Sequence, residues 1–282
     1  AAALTAARRG HRVVLFEREQ ELGGQFNLAR KIPGKEEFDE TLRYFEVMLA
    51  KYGVTVKLGC EADLQALRDF DAVVLATGVR PRRLELPGVE HAKVLSYPEA
   101  ILNPEQVGQR VAIIGAGGIG FDVAELLTHV GQPALDREAW CAEWGVDLNV
   151  TERGGLRRPE LPETPRQVYL LQRKSSKPGK GLGKSTGWVH RLSLRHRGVE
   201  ALAGCEYVSI DDAGLHIRIQ EESRLLEVDS VVICAGQDPV RELLEPLKQA
   251  GVAVQLIGGA DEAAELDAKR AIEQGTRIAA GL

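Results

Sequence analysis

Apolar residues recur along the chain at two spacings, and these spacings predict alternating helices and strands. Within residues 34–53, four apolar side chains follow the helical period before Gly53 interrupts it: Phe38, Leu42, Phe45 and Leu49. Short apolar or alternating runs predict strands at 12–16, 54–59, 111–114 and 166–174. Because the two kinds of element alternate, we expect an α/β fold built on parallel sheets.

Two segments far apart in the chain repeat one architecture. "DAVVLATGVRP" (71–81) and "SVVICAGQDP" (230–239) each run from an apolar strand into a glycine turn, where a backbone can approach a cofactor closely. Between residues 198 and 239, short alternating strands and an Asp-Asp-Ala-Gly turn predict a β-meander. We therefore predict two Rossmann-like dinucleotide-binding domains, tandem and nested.

The first residues have the pattern of the second half of a βαβ nucleotide unit. An alanine-rich helix, a turn at Gly10 and a strand from Arg12 to Phe16 lead to Glu17. In such a unit, a carboxylate at this strand tip accepts hydrogen bonds from a ribose. We expect the first strand of this unit, with its glycine-rich turn, to be missing from the chain.

The strongest local pattern is a strand, a glycine-rich turn and a helix within residues 109–131. The turn has the form G-x-G-x-x-G and consists of Gly115, Ala116, Gly117, Gly118, Ile119 and Gly120. Its first glycine permits a tight turn, its second permits close approach of a pyrophosphate, and its third permits close packing of helix on strand. Because the helix N-terminus then faces the phosphate charge, we predict a dinucleotide site.

The next convincing strand ends in two cations. Three acids lie near the spacing at which NAD-binding units place one, about 20 residues on: Asp136, Glu138 and Glu143. No strand leads into them, so residues 131–165 are predicted to be an insertion. The strand at 166–174 ends instead in Arg173 and Lys174. Charge-assisted hydrogen bonds from these cations to a 2′-phosphate favour NADPH over NADH.

A lysine- and glycine-rich loop, "SKPGKGLGKST" (176–186), follows this strand directly. A nucleotide-triphosphate loop would need glycine at position 178, whereas Pro178 fixes φ and has no N–H to offer an anion. We therefore expect the loop to meet the 2′-phosphate of NADPH.

A basic segment contains this loop. From Arg166 to Val199 the chain has nine Lys or Arg and no acid, although its formal net charge is −5. Such a segment favours an anionic small ligand or partner over nucleic acid, which the remaining acidic surface would repel. A solvated basic face is the alternative.

Other features of the sequence exclude several classes of protein. No apolar run approaches the about 18 residues of a membrane span. The four cysteines are widely scattered without a C-x-x-C pair, which argues against a zinc site, a redox dithiol and a disulfide framework. We predict a cytoplasmic protein with reduced cysteines and no bound metal.

The tail contains a strand, the pair Gly258-Gly259, Asp261 and then a long helix. In a flavoprotein with two dinucleotide sites, the Asp261 carboxylate would hydrogen-bond the ribityl chain of FAD. The helix N-terminus would support negative charge on the reduced flavin. The alternative is that Asp261 only caps the helix.

Six segments together resemble the C-terminal part of bacterial NADPH-dependent 2,4-dienoyl-CoA reductases, which are FAD/NAD(P)-dependent pyridine nucleotide oxidoreductases. They are "ELGGQF" (21–26), "IPGKEEF" (32–38), "VAIIGAGGIGFD" (111–122), "QRKSSKPGKGLGKSTGWVHR" (172–191), "VVICAGQDP" (231–239) and "ELDAKRAIEQGTR" (265–277). The resemblance covers essentially the whole chain. It implies that NADPH gives hydride to FAD, both bound by this part of the protein.

The resemblance also implies an electron relay. Electrons pass through a 4Fe-4S cluster to FMN in an N-terminal barrel, which reduces 2,4-dienoyl-CoA in the β-oxidation of unsaturated fatty acids. We expect FMN and the cluster only in that missing N-terminal part, and we expect the fragment to be inactive alone. The alternatives are a related flavin reductase acting on another enone or amine, or a non-catalytic dinucleotide-binding module for electron transfer.

The resemblance also implies the residues around FAD, and the sequence pattern, with proline and glycine in a connector, implies the domain bounds. The neighbours of FAD are expected to be Glu17, Gly24, Gln25, Thr77, Gly78 and Asp261, with no catalytic acid or base, because the cofactors carry the hydride transfer. Residues 1–105 are predicted to be the first part of the FAD-binding domain, with a crossing segment at 102–108. Residues 106–236 are predicted to be the NADPH-binding domain, and 237–282 the C-terminal part of the FAD-binding domain.

Overall fold

The protein consists of two compact units, seen in a computed structural model that describes residues 1–131, 136–161, 163–264 and 267–282. The first unit comprises residues 1–30, 37–82 and 236–282. The second unit comprises residues 31–36 and 83–235. Both ends of the chain therefore contribute to the first unit.

The longer segment of the second unit begins at residue 83, whereas the sequence pattern predicted a domain boundary at 105/106. A strand at Val94–Ser96 pairs in parallel with the strand at Ser230–Ile233, so residues 83–105 belong to the second unit. The expected crossing segment at 102–108 also lies inside this unit. There the Arg166 guanidinium donates to the carbonyls of three of its residues, Pro104, Val107 and Gly108.

Strands and helices alternate through most of the described chain. The strands are β1 (Val14–Phe16), β2 (Thr55–Lys57), β3 (Ala72–Leu75), β4 (Val79–Pro81), β5 (Val94–Ser96), β6 (Arg110–Ile114), β7 (Gln167–Leu171), β8 (Glu200–Leu202), β9 (Glu206–Asp211), β10 (Gly214–Ile219), β11 (Glu222–Leu226), β12 (Ser230–Ile233), β13 (Gln237–Pro239) and β14 (Ala253–Leu256). The helices are α1 (Ala2–Arg8), α2 (Gln25–Ala29), α3 (Phe38–Lys51), α4 (Leu64–Leu67), α5 (Tyr97–Leu102), α6 (Gly118–Thr128), α7 (Arg137–Trp144), α8 (Gly187–His196), α9 (Leu244–Gln249) and α10 (Ala268–Ala280). Short 3-10 turns lie at Pro104–Gln106, Arg153–Gly155 and Gly258–Ala260.

The second unit is built on a parallel five-stranded sheet in the order β5-β12-β6-β7-β8. In the central strand β6, Val111 to Ile114 are completely buried, as expected for a parallel sheet covered on both faces. Strands β9, β10 and β11 form an antiparallel meander, and the Asp211 carboxylate accepts the backbone N–H groups of Ala213 and Gly214 in its first turn. The predicted α/β fold with parallel sheets is confirmed.

Among its described residues, the first unit contains three separate pairs of strands. Strand β1 pairs in parallel with β2, and β3 pairs in parallel with β14. The third pair joins the two segments with the repeated strand-and-glycine-turn pattern, 71–81 and 230–239. In it, β4 and β13 are antiparallel, with Val79 opposite Pro239. One apolar cluster includes Leu75 and Leu247, and a second includes Leu4, which packs with residues of α3 and its C-terminal turn.

The predicted insertion contributes helix α7, while residues 132–135 and 162 lie outside the described residues. The Asp136 carboxylate accepts the backbone N–H groups of Glu138 and Ala139, at 2.9 and 3.0 Å. Gly145 ends the helix with a left-handed φ of 65°. Asp136 therefore caps this helix: its carboxylate accepts hydrogen bonds from first-turn N–H groups that have no partner within the helix. As the sequence pattern indicated, no strand among the described residues leads into Asp136.

The described ranges contain neither a helix suited to crossing a membrane nor a metal-ligating cluster. No helix there combines the length and apolar character that crossing a bilayer requires. No three His, Cys, Asp or Glu side chains in those ranges converge to hold a metal ion.

Candidate functional site

The glycine turn after β6 requires glycine at its first position. Gly115 has φ +116°, and a Cβ there would lie 2.5 Å from the carbonyl oxygen of Cys234. Its N–H donates to the carbonyl of Leu171 at the end of β7, at 2.8 Å. The turn is therefore pressed between β12 and β7, and a side chain at Gly115 would separate these strands.

Gly120, the third glycine of the motif, lets helix α6 pack closely against the turn, whereas Gly117 and Gly118 face open space. A Cβ at Gly120 would lie only 1.8 Å from the carbonyl oxygen of Gly115. A Cβ at Gly117 or Gly118 would have no described atom within 4 Å, and Ile119 is half-buried behind them. Gly117 precedes α6 without a capping side chain among the described residues. Because Gly117 and Gly118 are exposed, the N-terminus of α6 has room for a pyrophosphate, which its N–H groups could bind.

Two cations stand beside this glycine turn. Strands β6 and β7 are neighbours, with Ile114 opposite Leu171, so the end of β7 lies next to the turn. Gln172 follows the last residue of β7, and the next two residues, Arg173 and Lys174, are exposed. Within the described ranges neither of them forms an ion pair. Their charges are therefore available to an anion, and their role at a 2′-phosphate stays a prediction.

The lysine- and glycine-rich loop is fixed against the first turns of α6. Pro178 and Gly179 are buried, and a Cβ at Gly179 would lie 2.6 Å from the ring of Phe121. The Arg191 guanidinium donates to the carbonyl oxygen of Gly179 at 3.0 Å. The three lysines of the loop are exposed: Lys177, Lys180 and Lys184. The loop thus brings further positive charge to the same region of the second unit.

Sequence reasoning missed an ion pair beside the glycine turn. Lys35 Nζ lies 2.7 and 2.6 Å from the two carboxylate oxygens of Asp122, which belongs to α6. Burial, with a smaller contribution from the Asp122 charge, raises the pKa of the Cys234 thiol. The charge of Asp122 therefore influences Cys234, the residue whose carbonyl oxygen faces Gly115. Both ends of the pair lie in segments that carried the resemblance, but nothing in the sequence paired them.

The basic segment also contains cations that are not available to a ligand. Arg197 is only 5% exposed and lies 3.1 Å from Glu125 and 3.0 Å from Glu143. His129 Nδ1 lies 2.7 Å from the same guanidinium. This cluster, called here the Arg197 cluster, joins α6, α7 and the end of α8. Burial, followed by the nearby Arg197 charge, lowers the pKa of His129.

In the first unit, Glu17 follows β1 at the expected strand tip. Its backbone N–H donates to Lys57 at 2.9 Å, which continues the pairing of β1 with β2. One carboxylate oxygen accepts the N–H of Glu19 at 3.0 Å. Glu17 is half-buried, and its second oxygen can accept a ribose hydroxyl.

Gly24 and Gln25 lie at the start of α2. Gly24 has φ 52° and is the residue before the helix, which Gln25 begins. The rings of Phe26 and Phe38 meet edge to face at 4.8 Å, and they hold this short helix against α3. The backbone at Gly24 therefore adopts a conformation that favours glycine.

Thr77 and Gly78 follow the end of β3. The Thr77 hydroxyl donates to the carbonyl oxygen of Val240 at 2.6 Å, and Gly78 turns the chain with φ 70°. This hydrogen bond ties Thr77 to the backbone after β13 and uses the hydroxyl proton. Thr77 Oγ can therefore only accept a hydrogen bond from a ligand. Strands β3 and β14 are parallel, so Thr77 and Gly258 follow the same edge of their sheet.

Asp261 follows the turn after β14 and is held by Gln274 of α10. Gln274 Nε2 donates to Asp261 Oδ2 at 2.6 Å, while its Oε1 accepts the N–H of Gly258 at 2.7 Å. The residue that caps α10 is Asp267, whose carboxylate accepts the N–H of Lys269. Asp261 is therefore not the helix cap. It is exposed and borders a cleft of 360 Å³.

The chain is similar in sequence to known proteins. Residues 1–267 match the model of the family described as pyridine nucleotide-disulphide oxidoreductase. The chain is 27% identical over 274 residues to a metal reductase of Desulforamulus reducens, and 29% identical over 279 residues to a bilirubin reductase of Mediterraneibacter gnavus. These alignments cover 92% and 97% of this chain but 39% and 37% of the relatives. The chain thus spans less than half the length of either.

Solved structures show the same fold. A 2-naphthoyl-CoA reductase in complex with 2-naphthoyl-CoA aligns with a TM-score of 0.81 at 21% identity, over 100% of this chain and 38% of that chain. A histamine dehydrogenase from Rhizobium sp. 4-9 aligns with a TM-score of 0.73 at 17% identity, over 100% of this chain and 42% of that chain. The four cysteines of this chain are all free. The chain belongs to the pyridine nucleotide-disulphide oxidoreductase family and is a flavin-dependent NAD(P)H oxidoreductase module.

Proposed function

We propose that this chain binds NADPH through its second unit and FAD through its first, and passes hydride from NADPH to FAD. The observation that carries the proposal is the open glycine turn beside two exposed cations, Arg173 and Lys174. When bound, the two cofactors supply the redox chemistry themselves, so the chain needs to bind and orient them.

The second unit provides three elements for NADPH. The N–H groups at the start of α6 hold the pyrophosphate, with Gly117 and Gly118 leaving room for it. Gly120 keeps this helix packed on β6. Arg173 and Lys174 donate charge-assisted hydrogen bonds to the 2′-phosphate, which NADH lacks.

The first unit provides oxygen atoms at strand ends for FAD. Glu17 accepts hydrogen bonds from the adenosine ribose, and Asp261, oriented by Gln274, accepts them from the ribityl chain. Gly24, Gln25 and Gly78 shape the backbone around the cofactor. Thr77 contributes by holding the chain at Val240, because its hydroxyl proton is already committed there.

We further propose that the electrons serve the reduction of 2,4-dienoyl-CoA in the β-oxidation of unsaturated fatty acids, in the cytoplasm. In that reaction the chain works with an N-terminal barrel that holds FMN and a 4Fe-4S cluster. Support comes from the six segments that resemble this class of reductase and from the fold shared with a reductase of another CoA thioester. Turnover of dienoyl-CoA, enone and amine substrates by the full-length protein distinguishes this substrate from the alternatives.

The hydride transfer is tested by mixing the chain, loaded with FAD, with NADPH in the absence of oxygen. We expect loss of the visible absorbance of the flavin. A module that only binds dinucleotides would leave that absorbance unchanged, and this result would contradict the proposal.

The nucleotide preference is tested with the double variant Arg173→Ala/Lys174→Ala. We expect it to weaken NADPH binding by about 2–4 kcal/mol and to leave NADH binding unchanged, because two charge-assisted contacts are lost. An unchanged ratio between the two affinities would exclude these residues from the 2′-phosphate site.

A further inference from the structure

We propose that Gln172 is a positioning residue that sets the nucleotide preference, because it holds the turn that carries Arg173 and Lys174. The proposal rests on the proposed function, in which these two cations meet the 2′-phosphate of NADPH. Gln172 itself is not assigned to contact the nucleotide.

The side chain of Gln172 reaches over the turn that follows it. Its Nε2 donates to the carbonyl oxygen of Lys174 at 2.9 Å and to the carbonyl oxygen of Ser176. The hydroxyl oxygen of Ser176 lies 3.4 Å from the same nitrogen. One half-buried amide thus spans the backbone from the strand end to the start of the lysine-rich loop.

The backbone of Gln172 is itself fixed by the neighbouring segment. Its N–H donates to Leu202 at 3.0 Å, and its carbonyl accepts the N–H of Cys205 at 3.0 Å. The Lys174 carbonyl also accepts the N–H of Gly204, at 3.0 Å. The amide therefore connects a turn to a strand end that cannot easily shift, and it restrains the backbone from which both cations project.

This restraint favours NADPH in particular. Arg and Lys side chains lose conformational freedom when they order around an anion, and a mobile backbone beneath them adds to that loss. A turn already held in place reduces the loss for the ligand that both cations contact. NADH has no 2′-phosphate and gains nothing from the ordered turn, so Gln172 affects the two nucleotides differently.

The matched variants are Gln172→Met and Gln167→Met in the full chain. Methionine keeps the length of the side chain but cannot donate the two hydrogen bonds. Gln167 lies on the same strand, is exposed, and its amide donates to Tyr169 Oη at 2.8 Å. A second variant, Gln172→Glu, keeps the shape of the side chain but replaces the donating Nε2 with an oxygen. That oxygen would face the three oxygen atoms of Lys174 and Ser176 that Nε2 now contacts.

The probes are adenosine 2′,5′-bisphosphate and AMP, which differ only in the 2′-phosphate, so that neither flavin nor hydride transfer enters the measurement. For Gln172→Met we expect the Kd of the bisphosphate to rise about tenfold and that of AMP to stay within about twofold. Gln172→Glu should weaken the bisphosphate at least as much. Gln167→Met should change neither Kd.

The outcomes separate this proposal from the one on which it rests. If both Gln172 variants weaken the two probes equally, or change neither, Gln172 has no positioning role and the proposal is overturned. If the unchanged chain binds the bisphosphate no tighter than AMP, the 2′-phosphate site itself is absent, and both proposals fail. If Arg173→Ala/Lys174→Ala removes the preference and Gln172→Met does not, only the positioning role is excluded.

Discussion

Lys35 Nζ contacts both carboxylate oxygens of Asp122, at 2.7 and 2.6 Å, on the helix α6 that starts in the glycine turn of the second unit. Asp122 follows Gly120 by two positions in α6, whose N-terminus is the proposed pyrophosphate site. A lone carboxylate there would offset part of the positive potential at the N-terminus of α6 and repel the phosphates of a bound nucleotide. Lys35 neutralises it.

We predict that Lys35→Met weakens NADPH binding about fivefold, which corresponds to about 1 kcal/mol for a partly exposed ion pair. Adding Asp122→Asn should restore the affinity, because the repelling charge is then gone. Calorimetric titration of the two single variants and the double variant measures the coupling. A double variant as weak as Lys35→Met would show that the charge of Asp122 does not reach the nucleotide.

Gly117 and Gly120 should respond differently to alanine. A methyl group at Gly120 would overlap the carbonyl of Gly115, so we expect a loss of about 3 kcal/mol in the free energy of unfolding. Gly117→Ala has free space and should change the stability by no more than about 0.5 kcal/mol. It should nevertheless weaken NADPH binding, because the methyl group occupies the pyrophosphate space. Urea unfolding and NADPH titration of both variants test this, and normal NADPH affinity in a stable Gly117→Ala protein would contradict it.

Removal of Arg197 should destabilise the second unit strongly. Arg197→Met leaves Glu125 and Glu143 without their shared cation, at 17% and 9% side-chain exposure. Breaking a buried ion pair in this way costs about 3–5 kcal/mol. The exposed Arg195 provides the control, and Arg195→Met should change the unfolding free energy by no more than about 0.5 kcal/mol. Equal effects of the two variants in urea unfolding would mean that the Arg197 cluster does not stabilise the unit.

His129 should make the free energy of unfolding decrease as the pH falls into the acid range. Its pKa in the folded protein is lowered by burial and by Arg197, while Glu125 and Glu143 act in the opposite direction. Folding therefore favours the neutral imidazole. The contribution of His129 is complete above the unfolded pKa of about 6.5, and it is lost as pH falls from there toward the folded pKa.

The measurement for His129 is the unfolding free energy as a function of pH. We expect His129→Gln to have a shallower loss of stability below the unfolded pKa than the unchanged protein. Parallel curves for the two proteins across this range would assign the acid sensitivity to other groups.

Short stretches of sequence predicted the features that depend on neighbouring residues. The glycine turn could be predicted because three backbone constraints fall within six positions, from Gly115 to Gly120. The cations at Arg173 and Lys174 could be placed because β7 follows β6 in a parallel sheet, so both strand ends share one edge. The hairpin at Asp211 and the helix stop at Gly53 depend on local geometry in the same way.

Tertiary structure decided which charges are exposed and which are buried. Arg197 and Arg173 belong to the same basic segment, yet Arg197 is enclosed by carboxylates from two other helices while Arg173 is exposed. Lys35 and Asp122 are 87 residues apart in sequence, and the boundary at residue 83 depends on the pairing of β5 with β12. Burial and long-range pairing arise only when the whole chain packs, since desolvation depends on atoms that are distant in sequence.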